Sequence, residues 1–350
     1  MGESMSHVVG WDLGGAHLKA ALVSEGRSRA TWQVACPLWQ GLRSLDHAID
    51  KVKANLPIDC VHGVTMTGEM VDLFDDRSIG VQTLLERFSK KIGPQHCFVF
   101  QDGIFIPLSK FDSKKFKKIA SNNWQISLSY LAQLEKNALL IDIGSTTCDI
   151  LSVRNHHPVA RGHDDFTRQR YDELIYMGVV RTPLMALSDQ VPFQGERVPL
   201  MAEHFATIGD VYRILNLLPE KADHAETADG KPKTKAASMQ RLARMIGLDR
   251  DDAPIEAWEE LSRYLHEIQL QRLARACLYH LSRDPTNRPI LVGAGVGRFL
   301  VEEMAKRLGL EYRDFNAYFK QELNLGAGLS AADCAPAAAI ACLLESRLQT

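Results

Sequence analysis

The sequence predicts an α/β protein built from two related halves, on the strength of three observations. The stretch GWDLGGAHLKAALV at 10–23 ends a hydrophobic strand on Asp12, Gly14 and Gly15 and turns straight back into a second apolar run. ALLIDIGSTTCDILSV at 138–153 repeats that design 130 positions later, with Asp142 answering Asp12, Gly144 answering Gly14 and Ser145 answering Gly15. At 350 residues the chain also exceeds the size at which one hydrophobic core keeps growing, so two domains are the starting expectation.

Each element follows from local pattern. Residues 7–13, 18–24 and 30–35 read as three strands joined by tight turns, an antiparallel meander. LRSLDHAIDKVKAN at 42–55 carries apolar residues at helical spacing and stops before Pro57. Strands follow at 60–67 and 96–101, and the lysine-rich stretch 112–124 reads as a solvated helix face. From 138 the order strand–turn–strand–strand begins again and ends at 159–162. FATIGDVYRILNLL at 205–218 predicts a helix closed by Pro219, and the polar stretch 220–235 predicts a long loop, either linker or lid. A long helix over 255–281, a buried strand at 289–295, a helix at 297–308 and an alanine-rich closing helix complete the chain.

Composition narrows the function classes. The formal net charge is -2, from 41 basic and 43 acidic residues mixed along the chain, which is no footprint for nucleic acid. No apolar run reaches the length of a membrane span, so a cytoplasmic enzyme without a membrane partner is expected. Seven cysteines without a CxxC pair argue against a zinc knuckle or a disulfide framework.

The two Asp-x-Gly hairpins carry the chemistry. A tight turn of small residues leaves backbone N–H groups free to face an anion, and glycine lets a phosphate approach the backbone closely. Gly14, Gly15, Gly144 and Ser145, with the hydroxyls of Thr146 and Thr147, are therefore candidate phosphate ligands. A strand-end carboxylate is badly placed to touch phosphate but well placed to hold Mg²⁺, which binds one or two carboxylates plus phosphate oxygens. Asp12 and Asp142 are the candidate metal residues, and Lys19 adds a point charge. Taken singly, either loop also reads as an ordinary hairpin; the duplication favours phosphate. VGAGVG at 292–297 misses the dinucleotide fingerprint at Arg298, and as a partner of the two hairpins it offers Gly293 and Gly295 to a ligand. His156, His157, His163 and Asp164 match no metal-ligand spacing and read as turn residues.

These three elements, in this order, resemble the actin-like ATPase superfamily, which includes sugar kinases, Hsp70 and the hydantoinase/oxoprolinase enzymes. The resemblance implies two ribonuclease-H-like domains with a central cleft: residues 1–136 with the first phosphate loop, and 137–350 with the second loop, a helical insertion and the third motif. TMTGEM at 65–70, RTPL at 181–184, HFATIGDVYRILNLLPE at 204–220 and TADG at 227–230 resemble hydantoinase A relatives. More closely, they resemble the (4-{4-[2-(γ-L-glutamylamino)ethyl]phenoxymethyl}furan-2-yl)methanamine synthase family of tetrahydromethanopterin biosynthesis. His17 departs from the pattern at the middle of the first loop, which leaves that position's role open.

That family implies a transfer: the phenolic oxygen of γ-glutamyltyramine displaces diphosphate from an (aminomethyl)furanmethanol diphosphate, with Mg²⁺ as cofactor. A phenol of pKa about 10 needs a proton acceptor, and Glu69 and Asp72, just beyond a strand end, stand in position for one. The glutamyl carboxylate calls for arginine, and Arg168, Arg170 and Arg181 follow the second hairpin. An ATP-dependent hydantoinase/oxoprolinase-type hydrolase, a small-molecule kinase and a nucleotide-binding regulator share the same loops and stay open as alternatives.

Overall fold

The computed structural model describes residues 7–219, 222–321 and 329–349. The chain folds into two compact units. One holds the residues up to Ala138, Ser152–Val159 and those from Asp314 on; the other holds Leu139–Leu151 and Ala160–Arg313.

In the first unit, β1 (His7–Leu13), β2 (His17–Ser24) and β3 (Arg27–Ala35) form the antiparallel meander. After α1 (Arg43–Lys53), β4 (Cys60–Met66) lies parallel to β1. Then come α2 (Arg77–Ile92), β5 (Cys97–Gln101), β6 (Ile104–Pro107) and α3 (Asn123–Leu134). Side chains alternate across a strand, so Val9, Trp11 and Leu13 share one face of β1, and they pack with the apolar sides of α1 and α2. Trp11 is fully buried; its indole N–H donates to His62 Nδ1 at 3.0 Å and its ring meets Phe88 edge-on at 5.3 Å. The expected helix at 112–124 is instead a 3₁₀ segment at Ser113–Lys118, and α3 starts only at Asn123.

The strand order then repeats in β7 (Asn137–Ile143), β8 (Cys148–Arg154) and β9 (His157–Val159), of which Leu139–Leu151 belongs to the second unit and β9 to the first. His156 and His157 fall at the β8–β9 turn, and Asp164 caps α4 (Asp165–Arg170) in a capping box with Thr167. Then follow β10 (Leu174–Ile175), a hairpin of β11 (Gln190–Phe193) and β12 (Glu196–Pro199), α5 (Ile208–Ile214), α6 (Lys235–Arg244) and α7 (Ile255–Leu281). Last come β13 (Ile290–Ala294), α8 (Arg298–Leu308) and β14 (Tyr312–Asp314). The sheet runs β10-β8-β7-β13-β14, with β9 on β8. The helix expected over 205–218 is shorter, because Asn216 turns left-handed at φ 57°.

The C-terminal segment corrects the expected domain division. β15 (Lys320–Gln321) pairs with β3, and α9 (Ala335–Gln349) lies on β1, β2 and β4. Gly10 and Gly63 are neighbours across β1 and β4. A Cβ on Gly10 would overlap the Ala337 carbonyl, and one on Gly63 would stand 3.0 Å from Ile340. Two glycines on the sheet and alanines on the helix thus permit a close approach, and the alanine-rich end of the chain belongs with the first unit. Among the described residues no helix is long and apolar enough to cross a membrane. All seven cysteines are buried, and none is joined in a disulfide.

Candidate functional site

The first glycine loop is the β1–β2 turn. Antiparallel register sets Asp12 opposite Lys19 and Leu13 opposite Leu18, and the Gly14 N–H closes the turn on the His17 carbonyl at 3.1 Å. The segment after β3 backs the turn: Leu38 N–H donates to the Gly15 carbonyl at 3.0 Å and Cys36 N–H to the Ala16 carbonyl at 2.8 Å. In a trans peptide N–H and C=O point in opposite directions, so tying down the Gly15 carbonyl turns the Ala16 N–H away from that segment. Gly68 completes the backing, since a Cβ there would stand 2.7 Å from Leu38 and 2.9 Å from the Leu13 carbonyl.

Around this loop the first unit gathers polar groups. Asp12 is 6% exposed and accepts from Asn123 Nδ2 at 3.3 Å. Lys19 donates to the Asp333 carbonyl at 2.8 Å, one bond from an ammonium that has three donors. Glu69 is only 1% exposed, accepts from Ser121 Oγ at 2.6 Å and pairs with Arg77 at 3.6 Å. Expected in a loop just beyond the strand, Glu69 instead lies buried within a 3₁₀ turn, Gly68–Met70, coupled to Ser121 and Arg77, two residues outside the expected site. Asp72 is exposed on the approach to α2.

The second loop uses the same device on a different scaffold. Gly144 N–H donates to the Thr147 carbonyl at 2.9 Å. Its backing is the segment after β10. Val179 N–H donates to the Gly144 carbonyl at 3.0 Å, and the Ser145 carbonyl accepts from Val180 at 3.1 Å and Arg181 at 2.9 Å. The amides of Ser145 and Thr146 therefore point away from residues 179–181. A Cβ on Gly178 would overlap the Ser145 carbonyl, so this support accepts only glycine. Arg181 is exposed and its backbone is part of that support.

Arg168 and Arg170 take other places. Arg168 is 2% exposed; its guanidinium donates to Asp149 at 2.6 Å and to the Glu173 carbonyl at 2.9 Å. Those bonds make it an internal counter-charge, which corrects its expected role toward a substrate carboxylate. Arg170 is exposed on α4, with its guanidinium 5.8 Å from the centre of the Phe166 ring. Of the three arginines, Arg181 alone backs a glycine loop.

The third motif packs on the second loop. Gly295 adopts φ 76°, and a Cβ there would overlap the Ile143 carbonyl and the Asp142 carboxylate. Gly297 N–H donates to the Ile143 carbonyl at 2.8 Å. A Cβ on Gly293 would come within 2.9 Å of the Tyr312 ring, so that glycine makes room for a side chain. The stretches around 210 and 229 also meet. Arg241, fully buried, binds Asp210 at 2.7 Å and Asp229 at 3.0 Å, while Asp223 pairs with Arg213 and Lys233. These pairs tie residues 222–235 to α5 and α6; residues 220 and 221 of the expected lid or linker lie outside the described residues.

Among the described residues no three His, Cys, Asp or Glu side chains gather to cage a metal. One carboxylate at each loop nevertheless fits Mg²⁺, an ion that keeps several waters and arrives with phosphate oxygens.

Two α/β units, each opening on an Asp-x-Gly hairpin with a buried backing segment, define the actin-like ATPase fold with its ribonuclease-H-like domains. The nucleotide-free acetone carboxylase structure, described as ATP-dependent, shares that fold at 11% identity, over 97% of this chain and 70% of that one, with a TM-score of 0.53. The hydantoinase/oxoprolinase family model matches residues 60–335, and the chain belongs to that family. A curated relative from Methanocaldococcus jannaschii is 28% identical over 267 residues, 75% of this chain and 79% of that protein. Another, from Methanococcus vannielii, is 34% identical over 116 residues, 33% of this chain and 52% of that protein. Both are named (4-{4-[2-(γ-L-glutamylamino)ethyl]phenoxymethyl}furan-2-yl)methanamine synthase. Their product is a furan of the methanofuran type, which corrects the expected tetrahydromethanopterin pathway.

Proposed function

We propose that the chain is a biosynthetic synthase that joins γ-glutamyltyramine to an (aminomethyl)furanmethanol diphosphate, forming an aryl ether and releasing diphosphate. One observation carries the proposal. Each glycine loop has its carbonyls tied to a backing segment and its turn amides directed away from it, with a carboxylate at the adjoining strand end. Amides fixed in this way suit negative charge that grows on a leaving group, because they need not reorganise during reaction. The relatives' shared synthase name, whose product joins a γ-glutamylaminoethyl phenol to a furan through an ether, supports this choice of substrates.

The residues divide the work by chemistry. In the first unit the Ala16 amide is suited to a phosphate oxygen; in the second unit the amides of Ser145 and Thr146 and the hydroxyls of Ser145, Thr146 and Thr147 are suited to the same work. Lys19 adds positive charge opposite Asp12. Bound Mg²⁺, held by Asp12 or Asp142, supplies charge neutralisation of the diphosphate. Arg181, exposed beside the second loop, takes the substrate carboxylate. A furfuryl carbon bears positive charge well, so stabilising the departing diphosphate contributes more to rate than strengthening the nucleophile.

The test is direct. Purified protein with Mg²⁺ and the two substrates should release diphosphate and form one ether without ATP. ATP hydrolysis in step with opening of a cyclic amide, and no ether, would overturn the proposal in favour of a hydantoinase/oxoprolinase-type reaction.

A further inference from the structure

The proposed ether formation must remove a proton from a phenol, and the carboxylate in position for that work cannot reach it. Glu69 is 1% exposed. Ser121, half-buried, donates its hydroxyl to Glu69 Oε1 at 2.6 Å. Arg77 donates to the same hydroxyl oxygen at 2.9 Å. A serine hydroxyl has one proton and two lone pairs. Here the proton is given to Glu69 and one lone pair accepts from Arg77, so the second lone pair is the one that can accept an O–H from outside.

The location fits the reaction. Asn123, two residues beyond Ser121, donates to Asp12 of the first loop. Gly68, immediately before Glu69, packs under the Leu13 carbonyl and Gly14 of the same loop. Ser121 itself is held at φ 49°, a left-handed conformation that non-glycine residues seldom adopt. Its hydroxyl is thus fixed beside the loop that would hold the diphosphate.

We infer that Ser121 is the catalytic residue that takes the phenol proton, and that Glu69 acts only through it. The phenol O–H donates to Ser121 Oγ while the Ser121 proton moves to Glu69 Oε1. The phenolic oxygen forms its bond to the furfuryl carbon as that carbon's bond to the diphosphate oxygen breaks, and the bonding pair leaves with diphosphate. The proton ends on Glu69 and returns to solvent by the reverse relay. Arg77 sits where it stabilises the negative charge on the phenolic oxygen. This inference rests on the synthase proposal.

The experiment compares two nucleophiles, γ-glutamyltyramine and its analogue fluorinated at both ring positions beside the hydroxyl. Fluorine makes the phenol more acidic and reduces the need for a base. Ser121→Ala and Glu69→Gln should each lower ether formation about 100-fold or more with the parent phenol, the low end of general-base effects, and less than about 10-fold with the fluorinated one. Ser121→Thr, which keeps a hydroxyl, should retain the wild-type ratio of the two rates. Because each variant is judged on its own ratio, a partial loss of folded protein does not change the outcome. An equal loss with both phenols, or no loss, overturns the relay alone. A wild-type enzyme that forms no ether with either phenol overturns the synthase proposal and the relay with it.

Discussion

Gly295→Ala tests how tightly the third motif holds Asp142. Gly295 and Gly230 share a left-handed backbone, at φ 76° and 67°, so an alanine at either place costs roughly 1–2 kcal/mol of backbone strain. They differ in what surrounds them. Nothing lies within 4 Å of a Cβ on Gly230, whereas a Cβ on Gly295 would overlap the Ile143 carbonyl and the Asp142 carboxylate. Overpacking of that kind adds about 1–3 kcal/mol, relieved by moving the loop. Urea denaturation should therefore show Gly295→Ala less stable than Gly230→Ala by about 1–3 kcal/mol. If the Asp142 loop holds metal and phosphate, a shift of about 1 Å there costs on the order of 100-fold in rate, so diphosphate release should fall by about that factor in Gly295→Ala and stay near wild type in Gly230→Ala. Equal stability and equal rates in the two variants would refute the account of the third motif as a support for Asp142.

Asp12→Ala and Asp142→Ala should each abolish Mg²⁺-dependent diphosphate release, and full activity in either would remove the paired-loop account. Lys19→Ala should lower kcat more than it raises KM if the ammonium meets leaving-group charge, whereas a change in KM alone would mark it as a docking contact. Burial holds His62 and His280 near a pKa of about 4, below the ordinary 6.5, so the fold favours their neutral forms. Their contribution is complete above about pH 6.5 and is lost as pH falls toward 4, roughly 3 kcal/mol for each. Urea unfolding at pH 7 and 4.5 checks this: His62→Gln, which can still accept from Trp11 but does not titrate, should lose less stability on acidification than wild type, and an equal loss would refute it.

Much of the fold was legible because its signals are local. The helix read over 255–281 is α7 residue for residue, and the meander and both hairpins rest on period-two patterning and turn glycines. What stayed hidden depends on distant partners. The return of α9 to the first unit rests on Gly10 and Gly63, each of which looks like an unremarkable strand glycine until a helix lies across it. The TADG stretch reads as loop, yet Asp229 is held by Arg241, which also binds Asp210 in α5. Arg168, Arg170 and Arg181 are close in sequence, but α4 sends Arg168 to a buried pair and Arg170 to an exposed ring contact, while Arg181, beyond β10, backs the loop. Ser121 and Arg77 carried no signal at all, since neither lies in a motif and both become meaningful only through Glu69.

The two loops show what the duplication preserves. The sequence likeness ends near Val153, yet both turns are backed: by residues 36–38 directly after β3 in one unit, and by residues 179–181 after α4 and β10 in the other. Backings this different keep one property in common, the fixed orientation of the turn peptides. Fixed amides favour negative charge, while Asp12 and Asp142 beside them oppose it. If phosphate binds at these loops, a divalent cation held by Asp12 or Asp142 would offset the repulsion, and Mg²⁺, which binds one or two carboxylates plus phosphate oxygens, would suit that role. On the proposed reaction, the charge pattern would make the release of diphosphate depend on a divalent cation. Diphosphate displacement that proceeded at full rate without a divalent cation would leave the two carboxylates without a purpose at their loops, and the paired-loop account would fail with it.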